Sequence, residues 1–71
     1  MKGIYMASKS ITKAIDKRID TIYNTNCSGI QISIMDIGKV FEVGRMAAAT
    51  GANDEQLTKV ITEFVNTIRL N

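Results

Sequence analysis

Thr50-Gly51-Ala52-Asn53-Asp54-Glu55-Gln56 is the stretch whose reading decides the fold: it ends one apolar helix, reverses the chain and starts another. Glycine enters the left-handed backbone region without a Cβ penalty, so Gly51 is placed to close the first helix at its C-terminus. Asn53, with Gln56 three residues on, is the pattern of a capping box, in which each of the two residues satisfies a backbone N–H of the other. Asp54 and Glu55 then put negative charge in the first turn, where the helix dipole favours it.

Downstream of this turn, Leu57, Val60, Ile61, Phe64, Val65 and Ile68 fall in one stripe, which predicts a helix over 54–69 with Arg69 in its last turn. Upstream, Ser33 followed by Asp36 is a second helix start and predicts a helix over 35–50, opening at Ile34 or Met35. Ile34, Ile37, Val40, Phe41, Val43, Gly44, Ala47 and Ala48 spread over about half of its circumference, wider than a single seam, so this is the expected central element. Lys39, Glu42 and Arg45 form a mixed-charge exposed strip. Met35 and Met46 fall on the side away from the main apolar face, where a flexible thioether suits an adaptable contact, so both are candidate partner-binding residues. Gly38 and Gly44 each cost about 1 kcal/mol relative to alanine inside a helix, which calls for a packing reason at one or both.

Before this hairpin the pattern changes. Ile30-Gln31-Ile32-Ser33-Ile34 alternates strictly and predicts a short half-buried strand over 30–34. Such a strand needs a pairing partner, either near Gly3-Ile4-Tyr5 or in a second copy of the chain. Asn24 to Gly29 is a polar, turn-forming cluster that reads as a loop, with Cys27 an inert loop thiol. Over 8–24, Ile11, Ala14, Ile15, Ile19 and Ile22 recur at helical spacing, with Ser8 or Ser10 as the N-cap. The other face of that helix carries Lys9, Lys13, Asp16, Lys17 and Asp20, in which Lys13 can offset Asp16 and Lys17 can offset Asp20. Residues 1–7 show no period and read as a tail.

The expected fold is therefore one mainly α domain over 1–71: an N-terminal helix, one short β-strand and a two-helix hairpin. A chain of 71 residues buries only about 60% of its unfolded surface when it folds alone, so an intertwined or tightly packed homodimer is expected as well.

Composition narrows the chemistry. With no histidine, the chain lacks the usual general base at neutral pH and the middle member of a Ser-His-Asp arrangement. Asp36, Glu42, Asp54, Glu55 and Glu63 form no recognisable acid/base pair, and Gly38 and Gly44 have neither the spacing nor the lysine of a phosphate-binding loop. No catalytic residue, cofactor or metal site is expected, and the chain reads as a non-enzymatic binding module. The formal net charge of +2 permits duplex DNA without demanding it. A single cysteine, no signal-peptide core in Met1 to Tyr5 and no apolar run of bilayer length point to a cytoplasmic protein without a membrane partner.

An alternating strand, a helix of some four turns, a glycine turn and a second amphipathic helix resemble the ribbon-helix-helix DNA-binding family over Ile30 to Ile68. Gly51, Asn53 and Leu57 stand at the turn, cap and core positions of that pattern, and Ala47 at its small residue. The resemblance implies a dimer whose paired strands enter the major groove of DNA, with Gln31 and Ser33 as the DNA-binding residues and a role in transcription regulation. Ala47, Gly51, Leu57 and Val60 also suit a helix-turn-helix, with Asp54 to Lys59 on its recognition helix. The alternative function is a small helical protein–protein interaction module, an inhibitor or adaptor, without nucleic-acid binding.

Overall fold

A computed structural model describes the backbone of residues 2–70 and the side chains of residues 12–70. The described residues form three helices: α1 over Lys2–Cys27, α2 over Ile34–Ala49 and α3 over Asp54–Ile68. Ile19 of α1 meets Gly44 of α2, Asp16 bonds to Arg45, and Arg18 bonds to Asp54 at the start of α3. At the other end, Leu70 bonds to Gln31. The helices therefore run up, down and up, with α2 antiparallel to both of its neighbours.

Ile19, Ile22, Cys27, Val40, Leu57, Ile61 and Val65 are the buried core. α3 contributes three of these at helical spacing, α1 three and α2 Val40, and Ile15, Phe41, Ala47, Ala48, Phe64 and Ile68 pack around them half-buried. Burying a Leu, Ile or Val side chain is worth about 1.5–3 kcal/mol, so the stripe of α3, with three members fully buried, anchors the hairpin.

The turn between α2 and α3 forms as its sequence dictates. Gly51 has φ +91°. Its N–H donates to the Ala48 carbonyl at 3.0 Å, and the Ala52 N–H donates to the Ala47 carbonyl at 3.1 Å. Together these bonds are a Schellman motif and satisfy carbonyls that the end of α2 would otherwise leave bare. Asn53 Oδ1 then accepts from the Gln56 N–H at 2.8 Å, while Gln56 Oε1 accepts from the Asn53 N–H at 2.9 Å, closing the capping box.

Four expectations need correction. No strand forms at 30–34 among the described residues; residues 30–33 are an irregular linker between α1 and α2. Ile30 and Ile32 turn inward and Gln31 outward, but Ser33 is half-buried as well, so the alternation holds over the first three residues alone. What is missing is a ladder, because its one backbone bond to the C-terminal stretch is Leu70 N–H to the Gln31 carbonyl at 2.8 Å. Ile34 leaves the linker altogether: Ser33 caps α2, which makes Ile34 its first residue, 87% exposed instead of part of the apolar face. The intertwined dimer that paired strands would build loses its basis with the strand.

The second correction concerns residues 2–7, which are helical instead of a tail, so Ser8 and Ser10 lie inside α1 and not at its start. No proline interrupts that segment, and a helix nucleated against the core extends at the gain of one backbone bond per residue. Third, α1 continues past Asn24 to Cys27. Asn26 Nδ2 donates to the Ile22 carbonyl at 2.8 Å, which ties a turn-former into the helix, and Cys27 is 1% exposed, a core residue and not a loop thiol. Fourth, the outer face of α1 pairs differently. Asp16 is held by Arg45 of α2, and Asp20 accepts from Asn24 Nδ2 one turn on, so a tertiary cation and a local amide stand where the neighbouring lysines were expected. Ile15, Ile19 and Ile22 face the core, Ala14 is exposed, and the side chains of Ile11 and Lys9 lie outside the described residues.

Candidate functional site

α2 is the element with two faces. Val40 and Gly44 turn to the core, and Phe41, Ala47 and Ala48 flank them. At 3.6 residues per turn, Met35, Lys39, Glu42 and Met46 fall within about 60° of one another on roughly the opposite side. They form a row at i, i+4, i+7 and i+11, each about one turn above the last. Met35 is 82% exposed and Met46 is 66% exposed. For apolar side chains of that size these are high values, and they bracket a centre made of one cation and one anion.

Beside this row lies a shallow open groove between α2 and α3, lined by Lys39, Glu42, Val43, Met46 and Phe64. Its floor is apolar, because Val43 and Phe64 are only half-buried by their own chain. Its rim is charged. Lys39 Nζ stands 3.6 Å from Asp36 Oδ1, a pair one turn apart whose lysine is 64% exposed. Pairs of that kind contribute little and leave the ammonium free to move. Glu42 makes no ion pair among the described residues; its charge is felt by Arg45.

Four other charged residues are occupied in two ion pairs between helices. Arg45 Nε and Nη2 donate to the two carboxylate oxygens of Asp16 at 2.7 and 3.0 Å, a fork-to-fork pair between α2 and α1. Those hydrogen bonds hold the Asp16 carboxyl below its ordinary range and the Arg45 guanidinium above its own. Arg18 Nε and Nη2 both donate to Asp54 Oδ1, at 3.0 and 2.7 Å, so the acidic start of α3 is answered by a cation of α1. Burial pushes the Cys27 thiol up, away from the reactive thiolate.

Gln31 and Ser33 are not brought to one surface with free polar groups. Gln31 is exposed on the linker, and its carbonyl is used by Leu70. Ser33 is half-buried, and its hydroxyl accepts from the Asp36 N–H at 3.4 Å as the cap of α2. Met35 and Met46 both stand on the outer face of α2 where the sequence put them. Sequence reasoning missed the part of Phe64 and Val43 in the groove, since both read as core by periodicity. Only the wide apolar arc of α2 hinted that the core would not cover all of it. Among the described residues no three Cys, Asp or Glu side chains gather as a metal site, and no helix is long and apolar enough to cross a membrane.

Comparison with known proteins finds no matching family model and no curated protein or solved structure similar to the chain.

Proposed function

We propose that this chain is a small, non-enzymatic, cytoplasmic module that acts by protein–protein contact through the outer face of α2, taking a helix of another polypeptide chain across the Met35–Met46 row. One observation carries the reading: two large apolar side chains, 82% and 66% exposed, stand in line on a helix whose other side already serves the core. Neither methionine stabilises the chain by burial, and a mobile thioether is well suited to fill an incoming surface. Lys39 and Glu42 between them favour an occupant that pairs apolar ends with charges at its centre.

DNA recognition through Gln31 and Ser33 draws less support. The segment 30–34 that would build its ribbon is not a strand, and the serine hydroxyl is engaged in a helix cap.

The test compares the full chain with Met46→Glu, after circular dichroism has checked that the variant is folded. The wild type should retain a discrete protein in affinity capture and the variant should lose it, while neither shifts a mixed-sequence duplex at low salt. Retention of every partner by the variant, or salt-sensitive duplex binding by the wild type, would overturn the proposal.

A further inference from the structure

The row on α2 is complementary to itself, and from this we infer that the occupant of the outer face is a second copy of the same helix, laid antiparallel about a two-fold axis. The inference rests on the contact reading above and names its partner. Read from its N-terminus, the row is apolar, basic, acidic, apolar: Met35, Lys39, Glu42, Met46. Its midpoint falls between Val40 and Phe41, because Met35 and Met46 are equally far from that point, and so are Lys39 and Glu42. An antiparallel pairing about the midpoint sets Met35 at the height of the partner's Met46, and Lys39 at the height of the partner's Glu42. By symmetry the other two contacts are the same two again, which is the property of an isologous interface.

The charge pattern also selects the direction. A parallel pairing would bring Lys39 to the partner's Lys39 and Glu42 to the partner's Glu42, two like-charge contacts at the centre of the interface. The antiparallel arrangement replaces both with opposite-charge contacts. The Lys39 side chain is held only by the loose 3.6 Å pair with Asp36, and Glu42 holds no ion pair of its own among the described residues, so both can turn to the partner. The groove over Val43 and Phe64 lies beside Met46, at the height where the partner's Met35 arrives, and offers that side chain an apolar seat.

The experiment is sedimentation equilibrium of the full chain over a wide concentration range, repeated for Lys39→Glu, Glu42→Lys and the two together. A single four-turn helix pair is a small interface, so a reversible dimer with Kd on the order of micromolar is expected. Each single reversal should weaken it by at least about tenfold, since a like-charge contact then occurs twice. The double swap restores complementarity and should recover most of the affinity, an outcome that a merely structural role for either residue does not produce.

A monomer at all concentrations up to roughly millimolar overturns the inference. So does a dimer indifferent to the reversals, or a double swap that recovers nothing. If the wild type is monomeric and Met46→Glu still abolishes capture of a different protein, only the identity of the occupant has failed. If Met46→Glu alters neither association nor capture, the contact reading has failed with it.

Discussion

Gly44 of α2 lies so close beneath Ile19 of α1 that a Cβ atom placed on it would stand 2.7 Å from Ile19 Cδ1 and 2.8 Å from its Cγ1. Ile19 is 0% exposed and β-branched, so its side chain has little room to yield. Gly44→Ala should therefore cost roughly 1–3 kcal/mol of overpacking, offset by about 1 kcal/mol of helix propensity, and lower the urea midpoint. Ile19→Val removes the nearest atom. In a double-mutant cycle it should relieve part of the loss, and strict additivity would argue against a direct clash.

Gly38 is the contrasting case on the same helix. Nothing lies within 4 Å of a Cβ built there, and no positive φ is required. Gly38→Ala should stabilise the monomer by about 0.5–1 kcal/mol through backbone entropy alone. Thermal unfolding of the two glycine variants side by side should show shifts of opposite sign.

Gly51 and Asn53 test the turn. Gly51→Ala forces a side chain into positive φ and should cost about 1–2 kcal/mol. Asn53→Ala removes the acceptor for the Gln56 N–H and should cost about 0.5–2 kcal/mol, whereas Asn53→Ser or Asn53→Asp should retain most of the stability. Equal losses for Ala, Ser and Asp would mean that the cap contributes little.

The Asp16–Arg45 pair predicts a pH dependence. Asp16 has a lower pKa folded than unfolded, so its contribution is fully present above the unfolded value, near 3.8, and is lost as pH falls through the folded one. Stability measured by urea unfolding should decline over that acid range, and Asp16→Asn should flatten part of the decline. At neutral pH the variant should be only modestly weaker, since both side chains remain partly exposed and solvent screens the pair.

Cys27 predicts a kinetic protection. With the thiol buried and its pKa raised, a thiol reagent at neutral pH should modify the native chain much more slowly than the chain in denaturant. Equal rates in the two conditions would show that the end of α1 opens freely.

The parts of the fold legible in sequence were those with local causes. Gly51, Asn53 and Gln56 form the turn from interactions within a few residues, and the stripe of α3 follows from helical period alone. What was not legible depended on partners far along the chain. The alternation reports the facing of Ile30, Gln31 and Ile32, but it ends where Ser33 caps α2, and a strand also needs a neighbouring backbone, which period cannot report. Asp16 had a lysine one turn away in sequence and took Arg45, 29 residues on, because docking of α1 on α2 brings a planar bidentate donor. Met35 and Met46 were legible as a face, but the groove beside them needed the position of Phe64 on another helix.

The hairpin turn has a consequence for the order of assembly. All of its stabilising bonds, from the Ala47 carbonyl to the Gln56 side chain, close loops of a few residues, so they cost little loop-closure entropy and need no help from α1. α2 and α3 can therefore meet first, as a nucleus, and α1 reaches them through contacts far longer in sequence, such as Arg18 to Asp54. Damage at Gly51 should then be felt mainly as slower folding, whereas damage at the Ile19–Gly44 contact should be felt mainly as faster unfolding.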